Sequence, residues 1–405
     1  MSTPKKIALF IWMIASIFYA YQYILRVMPS IMFEELLEQF NIDAAVFGQF
    51  SGMYYMGYSL THIPLGILLD RIGPRKIMSF CILITVIGLL PIMYGGTWFL
   101  AVLGRMLVGI GSSAAILGTF KIIRITFPEK QFTTWLSFSV TIGLIGAIYG
   151  GGPVGYLVRE FGYIQVTKVF SILGLILAAL TFYIVPEIEP DKKSSVTGDL
   201  WEVFSNKKVM LICISSGLLV GPLEGFADVW GTQFFKIVYG YDAETAEYLP
   251  SMIFLGMCFG APIIGMIAEK LRSYIGVTIA AGAIMLFIYI ALLMEILNLG
   301  IATISLIVVG ICSSYQVLGI YLVSIFVRKE ILGLATSMTN MIVMIFGYAF
   351  HTTIGYVISN YGGTKSQEAF KMGISVVPSG IFIGIIGYFI LSIITNKKRI
   401  KKVAE

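Results

Sequence analysis

The chain is poor in charged residues and in the residues that bind metals or form disulfides. Only 12% of its 405 residues are Asp, Glu, Lys or Arg, against roughly 25% in soluble domains. It has two histidines and four cysteines, and the cysteines lie in apolar segments without metal-site or disulfide spacing. No GxxxxGK[ST] nucleotide loop and no nucleophile beside a base can be found in it. The sequence therefore argues against an enzyme, and we expect no cofactor and no bound metal.

Long apolar runs dominate the sequence instead. The chain is 58% hydrophobic with a mean hydropathy of +0.89, which is too apolar for one soluble core. A spanning helix needs roughly 20 apolar residues, and a bilayer is then the expected surrounding. The predicted spans are 7–32, 46–69, 77–95, 98–122, 132–158, 164–185, 209–235, 248–268, 274–297, 301–326, 332–358 and 373–395. We therefore expect an all-α membrane protein with twelve transmembrane helices.

The positive charges predict the orientation of these spans. Most of the 28 lysines and arginines lie before span 1, in alternate connections and in the C-terminal tail, which gives the net charge of +6. The positive-inside rule then places both termini in the cytoplasm, and no nucleic-acid partner is needed to explain the charge. The hydrophilic stretch 187–208 is the predicted cytoplasmic linker, with 200–206 as a short interfacial helix. It separates an N-terminal six-helix bundle, 1–186, from a C-terminal six-helix bundle with a basic tail, 209–405.

The two predicted halves carry a weak internal repeat. GIGSSAAILG (109–118) resembles GICSSYQVLG (310–319), GILLDR (66–71) resembles GMIAEK (265–270), and GYLV (155–158) resembles GYVI (355–358). All three pairs are offset by about 200 positions. Two pseudo-symmetric halves are typical of transporters that bind their substrate between the halves, near the bilayer midplane. In span 5, the glycines and the proline of GLIGAIYGGGPVG (143–155) also predict a bend.

The loop GILLDRIGPRK (66–76) resembles the signature loop of the major facilitator superfamily, although Pro74 replaces a usual basic residue. The resemblance implies transport by alternating access, with this loop as a cytoplasmic gate that holds the outward-open state. A charge cluster of this kind can pair with neighbouring helix ends in one state and release them in another. The gating residues so predicted are Gly66, Asp70, Arg71, Gly73 and Arg75.

Further segments extend the resemblance. RMLVGIG (105–111) is similar to the superfamily's second signature, which implies that Arg105 helps to couple proton movement; otherwise Arg105 reaches the outer interface. YQYILRVMPSIM (21–32) and HIPLGILLDRIGPRK (62–76) look like the phagosomal nutrient transporters of intracellular bacteria. That subfamily implies uptake of amino acids, or of nucleosides in some members, across the bacterial inner membrane.

Three charged residues inside predicted spans are candidate functional groups. An arginine in hydrocarbon costs about 2.5 to more than 10 kcal/mol, so such residues are usually functional. When the Lys6 that starts span 1 is aligned with the Lys208 that starts span 7, Arg26 matches Asp228 and Gln22 matches Glu224. Arg26 could then pair with an acid and close an outer gate, or bind a substrate carboxylate while the acids bind its ammonium. The alternative is that Arg26 reaches the outer interface and the acids line a water-filled vestibule.

Other polar residues in the spans complete the predicted site. A proton-coupled mechanism would use Glu224 or Asp228, and His351 is a weaker candidate. Buried tyrosines need hydrogen-bond partners, and Tyr315 and Gln316 stand where the first half has alanines. The substrate-binding candidates are Tyr19, Gln22, Tyr23, Arg26, Tyr54, Tyr58, Glu224, Asp228, Tyr315, Gln316 and Asn340. The proton-coupling candidates are Glu224, Asp228 and Arg105.

The sequence as a whole predicts a monomeric secondary transporter. The favoured activity is import of a small polar nutrient, above all an amino acid, with protons as a candidate coupling ion. A nucleoside, an organic anion or drug efflux remain alternatives on the same fold.

Overall fold

A computed structural model describes residues 5–94, 96–187, 197–328 and 331–404, which are helical with short connections and no strand. The helices of the first part are α1 (Lys5–Val27), α2 (Phe33–Phe40), α3 (Ala44–Ile72), α4 (Pro74–Tyr94), α5 (Trp98–Thr126), α6 (Phe132–Gly150), α7 (Gly152–Phe161), α8 (Tyr163–Ile184) and α9 (Thr197–Ser205). The remaining helices are α10 (Lys207–Leu218), α11 (Gly231–Ile237), α12 (Ala243–Leu271), α13 (Tyr274–Leu293), α14 (Leu299–Ser313), α15 (Tyr315–Ile325), α16 (Leu332–Asn360), α17 (Gln367–Ile374) and α18 (Val376–Ala404). Short 3₁₀ turns occupy Met28–Ile31 and Glu129–Gln131, and a π-helix occupies Gly221–Trp230.

The helices confirm the predicted fold class. Eleven helical stretches of the described chain are long and apolar enough to cross a membrane. The twelfth predicted span is α3, a helix of 29 residues that is less apolar because it carries tyrosines, serines and a histidine. It packs inside the bundle between α5 and α16. The chain is therefore a multi-pass, twelve-helix membrane protein.

Spans 5 and 10 are each interrupted by a change of helix direction. Span 5 breaks at Gly151 between α6 and α7, with Pro153 in the first turn of α7, as the sequence predicts. Span 10 also breaks, at Ser314 between α14 and α15, which the sequence does not predict. The breaks redirect helices that line the interior of the bundle.

Span 7 departs from the sequence prediction. A continuous α-helix over 209–235 is expected, but the ten residues from Gly221 to Trp230 form a π-helix between α10 and α11. Pro222 cannot donate a backbone hydrogen bond, and Gly221 and Gly225 relax the backbone on both sides of it, which favours a wider turn. All ten residues are buried. Helical turns of this kind occur frequently at functional sites, and this one carries both predicted acids.

The linker is described only in part. Residues 188–196, with Lys192 and Lys193, lie outside the described residues. The short helix predicted at 200–206 is α9, which packs against α10 and α16. The division into two six-helix bundles stays a prediction.

The two ends of the helix bundle differ in their ion pairs. We call the end that holds α9 the linker end, and the other the Arg159 end. Among the described residues, two of the ion pairs at the linker end join segments of the first six spans, and the third joins the linker helix α9 to the connection after α15. They are Lys121 with Asp70 at 2.7 Å, Lys76 with Glu187, and Arg328 with Glu202 at 2.6 Å.

Three contacts at the Arg159 end join the first six spans to the last six, besides the Lys371–Glu295 pair within the last six. They are Arg159 with Glu247 at 2.5 Å, Lys236 with Glu34 at 3.5 Å, and the hydroxyl of Ser359 with Asp43 at 2.5 Å. The α6–α7 break packs against α12 at the same end. The bundle is therefore closed across the Arg159 end.

Glycines allow α3 and α16 to approach closely along this closed seam. A Cβ atom at Gly48 would overlap the carbonyl oxygen of His351, and one at Gly347 would lie 2.5 Å from the ring of Tyr55. Both contacts are too close for any other residue. Glycine at 347 thus lets the Tyr55 ring lie flat against α16, next to the charged residues of the interior.

Candidate substrate and proton site

Arg26 lies in the last turn of α1 and contacts both acids of the π-helix. Its Nε atom donates to Asp228 Oδ2 at 2.6 Å, and its Nη2 atom donates to Glu224 Oε2 in a close contact. Arg26, Asp228 and Glu224 are 4%, 0% and 1% exposed, so the group is buried between span 1 and span 7. The contact that the repeat predicts is present, and the alternative in which Arg26 reaches the interface does not describe this structure. A buried charge of this kind is tolerated only when it is paired and hydrogen-bonded.

Tyr55 joins the same cluster from α3. Its hydroxyl oxygen lies 2.6 Å from Glu224 Oε2 and is also in close contact with Asp228 Oδ2. The guanidinium of Arg26 lies over the rings of Tyr23, at 5.0 Å, and of Tyr55, at 5.2 Å. Cation–π contacts of this geometry add to the stability of a desolvated cation.

Tyr55 is absent from the binding candidates predicted from the sequence, although a signal for it exists. Gly48, Gly52 and Tyr55 recur at helical spacing on α3, and this face meets α16. The glycine spacing marks a tightly packed interhelical face. Tyr55 continues that face with a side chain that can form hydrogen bonds.

Gln22 is positioned by a residue of α3. The hydroxyl of Tyr54 donates to Gln22 Oε1 at 2.5 Å, so Gln22 is bound to α3. Gln22 and Glu224 occupy matching positions in the aligned sequences of spans 1 and 7. Among the described residues, however, no hydrogen bond joins Gln22 to either acid. Tyr54 in turn lies under the guanidinium of Arg105, at 4.9 Å.

Arg105 holds the backbone that carries Arg26. Its two terminal nitrogens donate to the carbonyl oxygens of Leu25 and Arg26, each at 2.7 Å. The side chain is buried, so the alternative in which it reaches the interface does not apply here. A cation at the C-terminus of α1 also opposes the negative end of the helix dipole. Arg105 therefore positions Arg26, and its hydrogen bonds go to this backbone rather than to either acid.

The remaining substrate candidates lie in separate contacts. Tyr19 packs edge-on against Tyr23 with ring centroids 5.2 Å apart. Tyr58 stacks on His62, and the His62 ring contacts Asn340 at 3.2 Å, which joins α3 to α16 closer to the linker end. Tyr58 and Asn340 therefore lie on the seam between α3 and α16, and Tyr19 packs within the first six spans.

Tyr315 and Gln316 are positioned by the last six spans. The hydroxyl of Tyr315 donates to the carbonyl oxygen of Ser216 at 2.6 Å, so it is already bound to α10. The side-chain nitrogen of Gln316 is buried and lacks a hydrogen-bond partner among the described residues. Of this predicted pair, Gln316 is the one whose polar group is available to a ligand.

Comparison with known proteins identifies the family of this fold and site. The model of the Major Facilitator Superfamily matches residues 11–350. The chain belongs to this superfamily. It is therefore a membrane transporter, as the signature loop and the repeat predict.

Individual relatives are distant from this transporter. The MFS-type transporter SLC18B1 of Homo sapiens is 25% identical over 63% of this chain and 58% of its own. The chain spans about half the length of the curated relatives it matches. One similar structure is a bacterial homologue of the human lysosomal transporter Spinster in an inward-facing and unoccupied conformation. It has a TM-score of 0.79 at 16% identity, and the match covers 96% of this chain and 98% of that one. A point mutant of the nucleoside transporter NupG has a TM-score of 0.77 at 15% identity, over 94% of this chain and 99% of that one. These structures show the fold alone.

The superfamily signature loop has ordered partners in this structure. Asp70 pairs with Lys121 on α5, and the Arg75 guanidinium lies 4.6 Å from the Phe182 ring. Gly73 has φ +95°, a conformation that favours glycine, at the sharp turn between α3 and α4. Arg71 is exposed, and a Cβ atom at Gly66 would meet nothing within 4 Å. In this state the surroundings of Gly66 would therefore accept a larger side chain. The gating role of the loop stays a prediction.

Proposed function

We propose that this transporter imports a small zwitterion, above all an amino acid, across the bacterial inner membrane, and that protons drive the import. The observation that carries the proposal is the ion pair of Arg26 with Glu224 and Asp228, buried between spans 1 and 7. A substrate carboxylate matches the planar donor fork of Arg26, and an ammonium matches the acids. The substrate would replace each half of the ion pair with a group of the same charge.

Charge balance supports a zwitterion over the alternatives. An organic anion that took Arg26 would leave Glu224 and Asp228 without their cation, and an organic cation would leave Arg26 without its anions. Leaving one partner of a buried ion pair uncompensated costs about 3–5 kcal/mol. A nucleoside has no charge to exchange for the ion pair, and the likeness to NupG concerns the fold alone.

We further propose that the linker end faces the cytoplasm, with both termini on that side. The closed Arg159 end then faces outward, and the structure corresponds to the inward-facing state of an alternating-access cycle. Opening to the outside would separate Arg159 from Glu247, Lys236 from Glu34 and Ser359 from Asp43. The first and last six spans would act as the two moving bodies.

An uptake panel in proteoliposomes tests the substrate and the coupling together. Labelled neutral, acidic and basic amino acids, nucleosides and dicarboxylates are offered with the outside more acidic, and again without a gradient. We expect at least one amino acid to accumulate above the level of protein-free liposomes, faster with the gradient, and the nucleosides and dicarboxylates to stay at background. Accumulation of a nucleoside or a dicarboxylate alone would contradict the zwitterion, and uptake indifferent to the gradient would contradict proton coupling.

A further inference from the structure

The hydroxyl oxygen of Tyr55 meets one carboxylate oxygen of Glu224 and one of Asp228 at the centre of the charged cluster. If both acids are ionised, these three oxygens share a single hydrogen, which is too few for two hydrogen bonds. The hydroxyl oxygen of Tyr55 is within hydrogen-bond distance of Glu224 Oε2 and also of Asp228 Oδ2. A phenol has one hydrogen to donate, and an ionised carboxylate has none. Tyr55 can therefore donate to one of the two acids only. With both acids ionised, the other contact would press a carboxylate oxygen against a phenol lone pair.

We propose that Glu224, Asp228 and Tyr55 form a site that binds one proton when the Arg159 end is closed. One carboxyl carries the proton and donates it to the Tyr55 oxygen, while Tyr55 donates its own hydrogen to the other carboxylate. Both short contacts are then hydrogen bonds, and each oxygen has a role that its chemistry allows. The protonated acid is Asp228, because its Oδ1 atom is buried without a hydrogen-bond partner among the described residues. A bare oxygen of this kind is costlier on a carboxylate than on a neutral acid.

The charges around the cluster agree with a bound proton. Arg26 faces two acids, so the proton leaves the buried group with one positive and one negative charge. The charge of Arg105 is taken up by the carbonyl oxygens at the end of α1. Glu247 on α12 is held by Arg159, and Tyr388 on α18 bonds to Ser216. Arg26, Tyr55 and Arg105 face the acids, and Tyr23, Tyr54 and His351 lie around Arg26 and Tyr55.

His351 is the group that could accept the proton in another state. It is completely buried, its ring centroid lies 5.3 Å from that of Tyr55, and neither ring nitrogen has a partner among the described residues. In this state the proton bound by the acids lies close to the His351 ring, whose two nitrogens form no hydrogen bond among the described residues. The seam between α3 and α16 separates when the Arg159 end opens, which would change the partners of both Tyr55 and His351.

The proton site gives the occupied substrate site a definite proton count, and this step alone rests on the proposed function. When a zwitterion replaces the ion pair, Arg26 and the substrate carboxylate cancel, and the ammonium cancels the one ionised acid. The occupied site is neutral only if the other acid keeps its proton. The occupied site in the closed state would therefore hold one proton together with each zwitterion.

Infrared spectroscopy of the purified transporter tests the site without any substrate. A protonated carboxyl group absorbs at a higher frequency than a carboxylate and shifts in heavy water. At neutral pH we expect wild type to show a protonated-carboxyl band equivalent to one group, and Glu224→Gln and Asp228→Asn each to lose it. In either variant the remaining acid must ionise to pair with Arg26. Tyr55→Phe should keep the band and move it to higher frequency, because the acid loses its acceptor.

Glu295→Gln is the control, because Glu295 pairs with Lys371 within the last six spans, outside the cluster and away from the contacts that join the two sets of spans. The band should persist in this variant. Absence of the band in wild type at neutral pH would overturn the proposal, and so would its survival in both Glu224→Gln and Asp228→Asn with folded protein. The infrared measurement uses no substrate, so its result does not depend on whether the uptake panel finds an amino acid. If the band is missing, the proton site is wrong, and the uptake panel still decides the zwitterion proposal.

Discussion

Arg26→Ala is expected to lower the initial rate of amino-acid uptake by at least about 100-fold. The variant removes the group that we propose to bind the substrate carboxylate and leaves Glu224 and Asp228 buried without a cation. Removing one partner of a buried ion pair costs about 3–5 kcal/mol, and each 1.4 kcal/mol is a tenfold change in affinity. The measurement is uptake into proteoliposomes at a substrate concentration below half-saturation, with equal amounts of reconstituted protein.

Two further variants separate binding from charge and from folding. Arg26→Lys keeps the charge but loses the planar fork, so it should fall between wild type and Arg26→Ala. Arg124→Ala removes an exposed arginine that lies over the Phe132 ring near the linker end of α5, and it should transport within about twofold of wild type. Wild-type uptake by Arg26→Ala would refute the proposed role of this residue.

A disulfide between positions 43 and 359 is expected to stop transport almost completely. Ser359 donates to Asp43 at 2.5 Å across the Arg159 end, so the combined Asp43→Cys and Ser359→Cys variant places two thiols at positions whose side chains are in contact. The bond would tie α3 to α16 and hold the Arg159 end closed, and a transporter that works by alternating access must open both ends in turn. Uptake is measured after oxidation and again after reduction of the same sample.

The reduced double variant is the reference for this experiment. Asp43 caps α3 by accepting from the Val46 nitrogen at 2.9 Å, so its loss alone costs about 1 kcal/mol. Cys81, Cys213 and Cys312 are buried, and the half-buried Cys258 is replaced by serine beforehand. Reduction should restore uptake to the reference rate. Undiminished uptake with complete cross-linking would mean that the Arg159 end does not open during transport.

The fold class could be predicted from the sequence because long apolar runs determine it almost alone. A run of about 20 apolar residues has few structural solutions, and the signature loop at 66–76 adds the family. The bend at Gly151 follows from glycines and a proline in one turn. The π-helix could not be predicted in this way, because the mixture of apolar residues, glycines and two acids in 221–230 does not distinguish a π-helix from an α-helix.

The contact of Arg26 with Asp228 could be predicted because the repeat aligns them and opposite buried charges must pair. The same alignment could not assign Gln22, whose partner Tyr54 lies on a third helix. The substrate-binding role of Tyr315 stays a prediction, and the bond of its hydroxyl to Ser216 is one that the sequence does not predict. Hydrogen bonds of uncharged groups depend on side-chain direction, which the sequence spacing of two helices does not determine.

The binding of three related ligands to wild type and to Arg26→Ala tests the zwitterion site most directly. The ligands are the amino acid selected by the uptake panel, the amine that lacks its carboxylate, and the carboxylic acid that lacks its amine, each titrated calorimetrically. We predict that the amino acid binds wild type at least about 100-fold more tightly than either analogue, since each analogue leaves one buried charge unpaired. Arg26→Ala should weaken the amino acid and strengthen the amine, because the variant has no Arg26 to leave unpaired and its two buried acids lack a cation. Equal binding of the amino acid and the amine to wild type, or equal weakening of both in Arg26→Ala, would contradict the account.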